Sequence, residues 1–288
     1  VSSAQPTPTQ PDPAAVAASL HEARFVRLVA TASGDAVAAA GLLARACRGV
    51  DVPFQIRVRE RPEFAPTDDE LVVSVGTAGG DVSIAGPSSL AETAYDVADS
   101  LDGDADPVLG MAGVVAAGDA PSGELLEDAE AAGRVERRPG VAVPTADLAD
   151  GLAHSTRLRT PYSGDVERAR ATLAELNLPT DLDDAAHRRV ASAVALDATT
   201  TAGAVPAAAD AVGDVLRPYA TPDGPFATVG GYADVLDAVA RSEPGTGVAL
   251  TLGHDVRTAA LEAWREHASA VHDALAGATT GRYDGLFV

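Results

Sequence analysis

Apolar positions change their period along the chain, and the change marks out the elements. Residues 25–30 (FVRLVA) form a compact apolar run, followed by the turn Thr31-Ala32-Ser33-Gly34-Asp35 and a small-residue helical stretch over 36–48. Runs at 54–59, 71–75 and 81–84 read as further strands, and 88–101 as a helix. Strands alternating with helices of this length predict a parallel sheet with helices on both faces. In such sheets ligands lie beyond the carboxyl ends of the strands, which directs attention to the turns after Ala30, Val75 and Ile84. Upstream, Asp12 as N-cap and Pro13 as first helical residue predict a short helix over 13–20.

After Pro107 the pattern becomes mostly helical: 108–117, 123–133, 147–153, 163–176, 181–196 and 204–216. The cluster Thr221-Pro222-Asp223-Gly224-Pro225 is a strong turn signal and the expected domain boundary. Beyond it the pattern predicts helices over 232–241 and 255–276, with strands over 247–252 and 282–288. The expected fold is therefore α/β: a Pro/Thr/Gln-rich disordered tail over 1–13, an α/β domain over 14–146, a helical connector over 147–220 and a smaller α/β C-terminal domain over 221–288.

Composition adds the solvent. The 288 residues carry 42 acidic and 21 basic side chains, a net charge of -21, and every basic residue is Arg, with no Lys at all. The acids are spread along the whole chain, which argues against an acidic partner-binding tail. Self-repulsion of this size is tolerable where molar salt shortens the screening length to about 3 Å, so the charge reads as adaptation to a salt-filled cytoplasm. The 46% hydrophobic content supports a packed core. No apolar run approaches the roughly 18 residues of a membrane helix, and no secretory signal is visible, so the expected location is cytoplasmic. The single Cys47 excludes a disulfide framework and a Cys-based zinc site, and its apolar neighbours suggest a buried helix position.

Candidate chemistry is sparse. In Ser33-Gly34-Asp35, Ser33 or Asp35 can cap the following helix, or Asp35 can serve as a metal- or phosphate-site acid at the sheet's carboxyl edge. Gly230-Gly231, ahead of a helix, forms either a turn or a close approach for a phosphate. Arg134, Arg137 and Arg138, Arg157 and Arg159, Arg168 and Arg170, and Arg188 and Arg189 are local basic concentrations, able to bind phosphate or to pair with the many Asp residues. Tyr162, Tyr219, Phe226 and Tyr232 are the candidates for base stacking. Of the histidines, His154 and His254 lie at positions worth testing, although a helix-cap or turn role is the first expectation for both.

Several segments carry a resemblance. The strand-turn-helix 26–47, the strand end Val73-Ser74-Val75-Gly76-Thr77, the helix beginning Leu109-Gly110-Met111-Ala112-Gly113, the stretch from Ala153-His154-Ser155 to Gly164-Asp165, and Val229-Gly230-Gly231-Tyr232-Ala233-Asp234 together resemble the DHH phosphoesterase superfamily, nearest to the RecJ-like single-strand exonucleases of archaea. The resemblance implies a DHH-type N-terminal domain and a DHH-associated C-terminal domain. It also implies a pair of Mn2+ or Mg2+ ions held by Asp and His residues that activate water against a phosphodiester. Most family ligands are missing here: the first motif retains only Asp35, Ser74 stands at the second, no Asp-His-His follows the next strand near Ile84-Ala85-Gly86-Pro87, and the fourth acid falls at Ala116 or Ala117, with Asp119 displaced. A rebuilt metal site would use Asp35, Asp81 and Asp119. Two hard cations need several carboxylates, so the resemblance, read with its losses, implies a catalytically degenerate protein with no bound cofactor. Such a protein would bind single-stranded nucleic acid through Gly230, Gly231, Arg157, Arg159 and His154, or act as a scaffold beside replication or repair proteins such as GINS. An active, divergent single-strand exonuclease and a phosphoesterase acting on small nucleotides are the alternatives.

Overall fold

The computed structural model describes residues 11–64, 69–101, 103–200, 213, 215–278, 282–283 and 286–287. The expected tail falls largely outside them. Where it ends, Asp12 accepts the Ala14 amide and Pro13 opens helix α1 (Pro13–Glu22), the local signals that the sequence displays.

The sheet is α/β in the expected sense. Strands β1 (Val26–Thr31), β2 (Phe54–Arg59), β3 (Leu71–Val75) and β4 (Val82–Ile84) run parallel in the order β2-β1-β3-β4. The order reverses at β1, so the carboxyl ends of β1 and β3 flank the position where such sheets take ligands. Helix α2 (Gly34–Gly49) leads from β1 to β2 and packs on the sheet, burying Val26, Leu28, Ala30, Val73 and Val75. On β2, Phe54, Ile56 and Val58 turn toward the core while Gln55, Arg57 and Arg59 are exposed. The expectation of helices on both faces is therefore corrected at β2, whose second face carries polar side chains where a covering helix would need apolar ones.

Helix α3 (Leu90–Ser100) lies beside α2, and helix α4 (Pro107–Ala117) packs across both. Every residue from Pro107 to Val114 is buried, as the near-continuous apolar sequence of α4 demands. Close packing here requires glycine: a Cβ on Gly113 would stand 2.2 Å from the Ala91 Cβ and 2.9 Å from that of Ala38. Helix α5 (Gly123–Ala131) leads into the short strand β5 (Glu136–Arg137). A second apolar cluster, centred on Val141, Val143, Leu152, Tyr162, Val190 and Val194, gathers helices α6 (Leu148–His154), α7 (Val166–Glu175) and α8 (Asp184–Thr200). The helix expected over 204–216 lies for the most part outside the described residues.

Strand β6 (Tyr219–Ala220) pairs antiparallel with β5, and the chain then enters helix α9 (Val229–Ser242), which packs on α4 and α2. Residues 226–264 share one apolar cluster with the sheet and its helices, so apolar side chains group across the expected boundary at 221. The strand expected over 247–252 is instead helix α10 (Pro244–Thr251). Pro244 supplies the preset φ of a first helical turn, and Gly247 brings this helix against Val239 and Val37. Helix α11 (Arg257–Gly277) closes over α9 with Trp264 fully buried. The expected strand over 282–288 is resolved into an antiparallel pair, β7 (Arg282–Tyr283) and β8 (Leu286–Phe287), the only described strands beyond β6. None of the helices among the described residues is long and apolar enough to cross a membrane.

Candidate functional site

At the carboxyl edge of the sheet, Ser33 caps α2 by accepting the Ala36 amide, while Asp237, on α9, accepts the Gly34 amide at 2.9 Å. Asp35 is thereby released from its own helix and reaches α3. Its carboxylate accepts the Ser89 hydroxyl at 2.9 Å and the amides of Leu90 and Ala91 at 2.9 and 2.8 Å. The residue is 7% exposed. Burial pushes its carboxyl up from the ordinary value, against the opposing pull of those three donors.

The other two acids offered as metal ligands are not brought into this shell as partners of Asp35. The Asp81 carboxylate accepts the Val72 amide at 2.8 Å, closing the turn between β3 and β4. Asp119, just past the end of α4, acts on Asp35 as a repelling charge that raises its carboxyl slightly further. Ser74, at the second motif position, donates within its own turn, to the Gly79 carbonyl at 2.5 Å. Among the described residues no group of three or more His, Cys, Asp or Glu side chains is placed to hold a metal ion. A pair of divalent cations needs several carboxylates free to coordinate, and Asp35 and Asp81 are committed to backbone amides. The residues present do not fit the cation pair that the resemblance implies.

A different set of side chains does converge. A crevice of about 80 Å3 is bordered by the end of α4 at Gly118, by Asp119, and by Arg137, Arg157, Arg217 and Gly230. A wider groove of about 500 Å3 shares Arg137 and Arg217 with it and adds Arg138 and Arg188. Among the described residues no carboxylate pairs with Arg137, Arg157 or Arg217, whereas Arg138 pairs with Glu136 and Arg188 with Asp184. The Arg137 guanidinium donates to the Tyr219 hydroxyl at 2.9 Å and lies 4.9 Å from that ring's centroid, which fixes a long side chain with one face toward the groove. The first turn of α9 adds a positive end of a helix dipole. Its N-cap Thr228 accepts the Gly231 amide. Three guanidinium groups and a helix amino end outnumber the carboxylate of Asp119 in the lining and that of the buried Asp234, which feels the charge of Arg157, so the crevice suits an anion.

Of the expected binding residues, Gly230 and Arg157 border this crevice. Gly231 does not: a Cβ there would stand 2.3 Å from the Val143 carbonyl carbon and the Pro144 nitrogen, so its smallness serves backbone packing. Arg159 is exposed and borders neither cavity. His154 is held 3.2 Å from the Asp150 carboxylate, with its ring edge against Trp264. Phe226, Tyr162 and Tyr232 are buried, leaving Tyr219 as the stacking candidate that borders the crevice. Arg217 carried no sequence signal, being an isolated Arg after an unremarkable helical stretch, and only β6 pairing with β5 brings it beside Arg137.

No protein-family profile matches the chain. It is 54% identical over 292 aligned positions to the protein rrnAC1427 of Haloarcula marismortui, described as uncharacterized; the alignment covers 99% of this chain and 76% of that relative. The relative comes from a halophilic archaeon, in keeping with the Lys-free, acidic composition.

Proposed function

We propose, for a chain that belongs to the same family as rrnAC1427 of Haloarcula marismortui, a role as a nucleic-acid-binding or scaffold component of DNA replication or repair, built on a RecJ-like DHH framework whose metal site has degenerated. The observation that carries this reading is the meeting of Arg137, Arg157 and Arg217 at the amino end of α9. Guanidinium groups bind phosphate oxygens bidentately, and a helix amino end favours the same charge. At molar salt counterion release contributes little, so short-range contacts of this kind are what a binder has to use. The commitment of Asp35 to α3 supports the loss of metal-dependent hydrolysis. A place beside replication proteins such as GINS rests on the resemblance alone.

The test uses the purified chain in molar KCl. Fluorescence anisotropy with labelled single-stranded DNA and RNA is expected to show binding that falls by about tenfold or more in Arg137→Ala/Arg217→Ala, a loss of the size two charge-assisted contacts give. Added Mn2+ is expected to produce no cleavage and EDTA no change in affinity. Mn2+-dependent turnover abolished by Asp35→Ala overturns the degenerate-site reading, and unaltered affinity in the double Arg variant overturns the groove.

A further inference from the structure

The exposed face of the sheet holds a second concentration of arginine, well separated in sequence from the groove. On β2, Arg57 and Arg59 point away from the core, paired in register with Val29 and Thr31 of β1. With Arg27, Arg61, Glu63 and Phe64 they line a concavity of about 380 Å3 whose floor is Val29 and Val72. Arg57 donates to its neighbour Gln55 and Arg59 to the Val58 carbonyl. Among the described residues no carboxylate meets Arg57, Arg59 or Arg61, while Arg27 pairs with Glu70. In a chain with two acids for every Arg, three guanidinium groups that share a hollow with Glu63 yet form no ion pair among the described residues are not explained by internal pairing. Nor does the fold require them, since an exposed strand face is served by any polar side chain.

We infer that this face is a second binding surface, independent of the groove, for the phosphodiester backbone of a single nucleic-acid strand. Alternate residues of a strand lie on one face roughly 6.6 Å apart, a spacing comparable to that of successive phosphates along an extended strand, and it sets Arg57 and Arg59 as consecutive phosphate contacts. Phe64 packs against Gly79 and remains partly exposed beside the arginines, presenting an aromatic ring at the edge of the track. An open sheet face carrying arginines and an aromatic ring is a physical arrangement that accepts unpaired bases and their backbone together. An acidic protein segment would satisfy the guanidinium groups but would make no use of the ring.

Three variants of the full chain test this in molar KCl: Arg57→Gln/Arg59→Gln, Phe64→Ala, and the groove variant Arg137→Ala/Arg217→Ala. Labelled oligo-dT, oligo-rU, an abasic strand of equal length and a glutamate-rich peptide serve as probes, with melting temperature as the control for folding. The expected results are an about tenfold weaker binding of both base-bearing strands and of the abasic strand in the Arg57/Arg59 variant. Phe64→Ala is expected to weaken only the base-bearing strands, and all variants to melt as the parent does. Unchanged strand affinity in Arg57→Gln/Arg59→Gln overturns the inference whatever the groove variant does. Absence of strand binding by the parent chain overturns it as well, as does tighter binding of the peptide than of any strand when that binding is lost in the same variant. Loss confined to the groove variant overturns the sheet-face site while upholding the groove.

Discussion

The Asp35 carboxylate and the Ala91 amide, 2.8 Å apart, join the first turn of α2 to the first turn of α3. Together with the bonds to Leu90 and Ser89, this makes one acid an added acceptor, beside the N-cap Ser89, at the amino end of a helix about 55 residues further along the chain. An acid that could have faced a ligand at the sheet's switch point is thus a structural strut. Asp35→Ala leaves two amides without an acceptor beside a newly emptied volume, and is expected to cost about 2–4 kcal/mol of stability. Denaturant unfolding in molar KCl measures it. A loss below about 0.5 kcal/mol, with nucleic-acid binding altered instead, would return Asp35 to the list of ligand-binding residues.

Asp150 and Arg265 form a bidentate pair, both contacts 2.9 Å, between α6 and α11, with His154 beside it. Burial alone would raise the Asp150 carboxyl, but Arg265 and His154 outweigh it and hold the group below its ordinary value. A carboxyl lowered in the folded state contributes stability above its unfolded value, near 3.9, and that contribution is lost as pH falls through the folded value. Asp150→Asn is therefore expected to be less stable than the parent by about 1–2 kcal/mol near neutrality, discounted for the part-exposure of Arg265. The gap should close as pH drops below about 4. A difference that stays constant from neutrality into acid would show that the charge of Asp150 is not what matters.

Gly231 separates packing from ligand approach. A Cβ at this position collides with backbone atoms of Val143 and Pro144, which cannot rotate away. Gly231→Ala is expected to destabilise the free chain by about 1–3 kcal/mol or more. Arg157→Ala at the crevice rim should leave stability within about 0.5 kcal/mol and weaken strand binding. Thermal melts of both variants without nucleic acid decide it: a Gly231→Ala chain as stable as its parent would remove the packing explanation.

Elements with local signals were readable from sequence. Asp12 and Pro13 announce α1, the apolar runs announce β1 and β3, and Pro107 with the near-continuous apolar sequence announces the buried α4. The run Gly247 to Leu252 misleads because short apolar stretches fit a strand or a buried helix equally well, although Pro244 offered the N-terminal signal that decides the matter. The site was less legible. Asp237 caps α2 from 203 residues away, Asp35 serves α3, and Arg217 meets Arg137 only through a two-strand pairing. Nothing in the neighbourhood of any of these residues records its partner, because each contact is made by tertiary folding. The turn Ser33 to Asp35 was visible in the sequence, but spacing alone could not say which helix Asp35 serves.

The cap that Asp237 supplies to α2 has a consequence for order of assembly. The amino end of α2 is completed only when α9 has docked, so a ribosome must release more than two hundred residues beyond Gly34 before the edge of the sheet acquires its final hydrogen bonding. Until then the nascent chain exposes the apolar surface of α4 that α9 covers, and shielding of that surface during synthesis becomes a requirement of the topology itself.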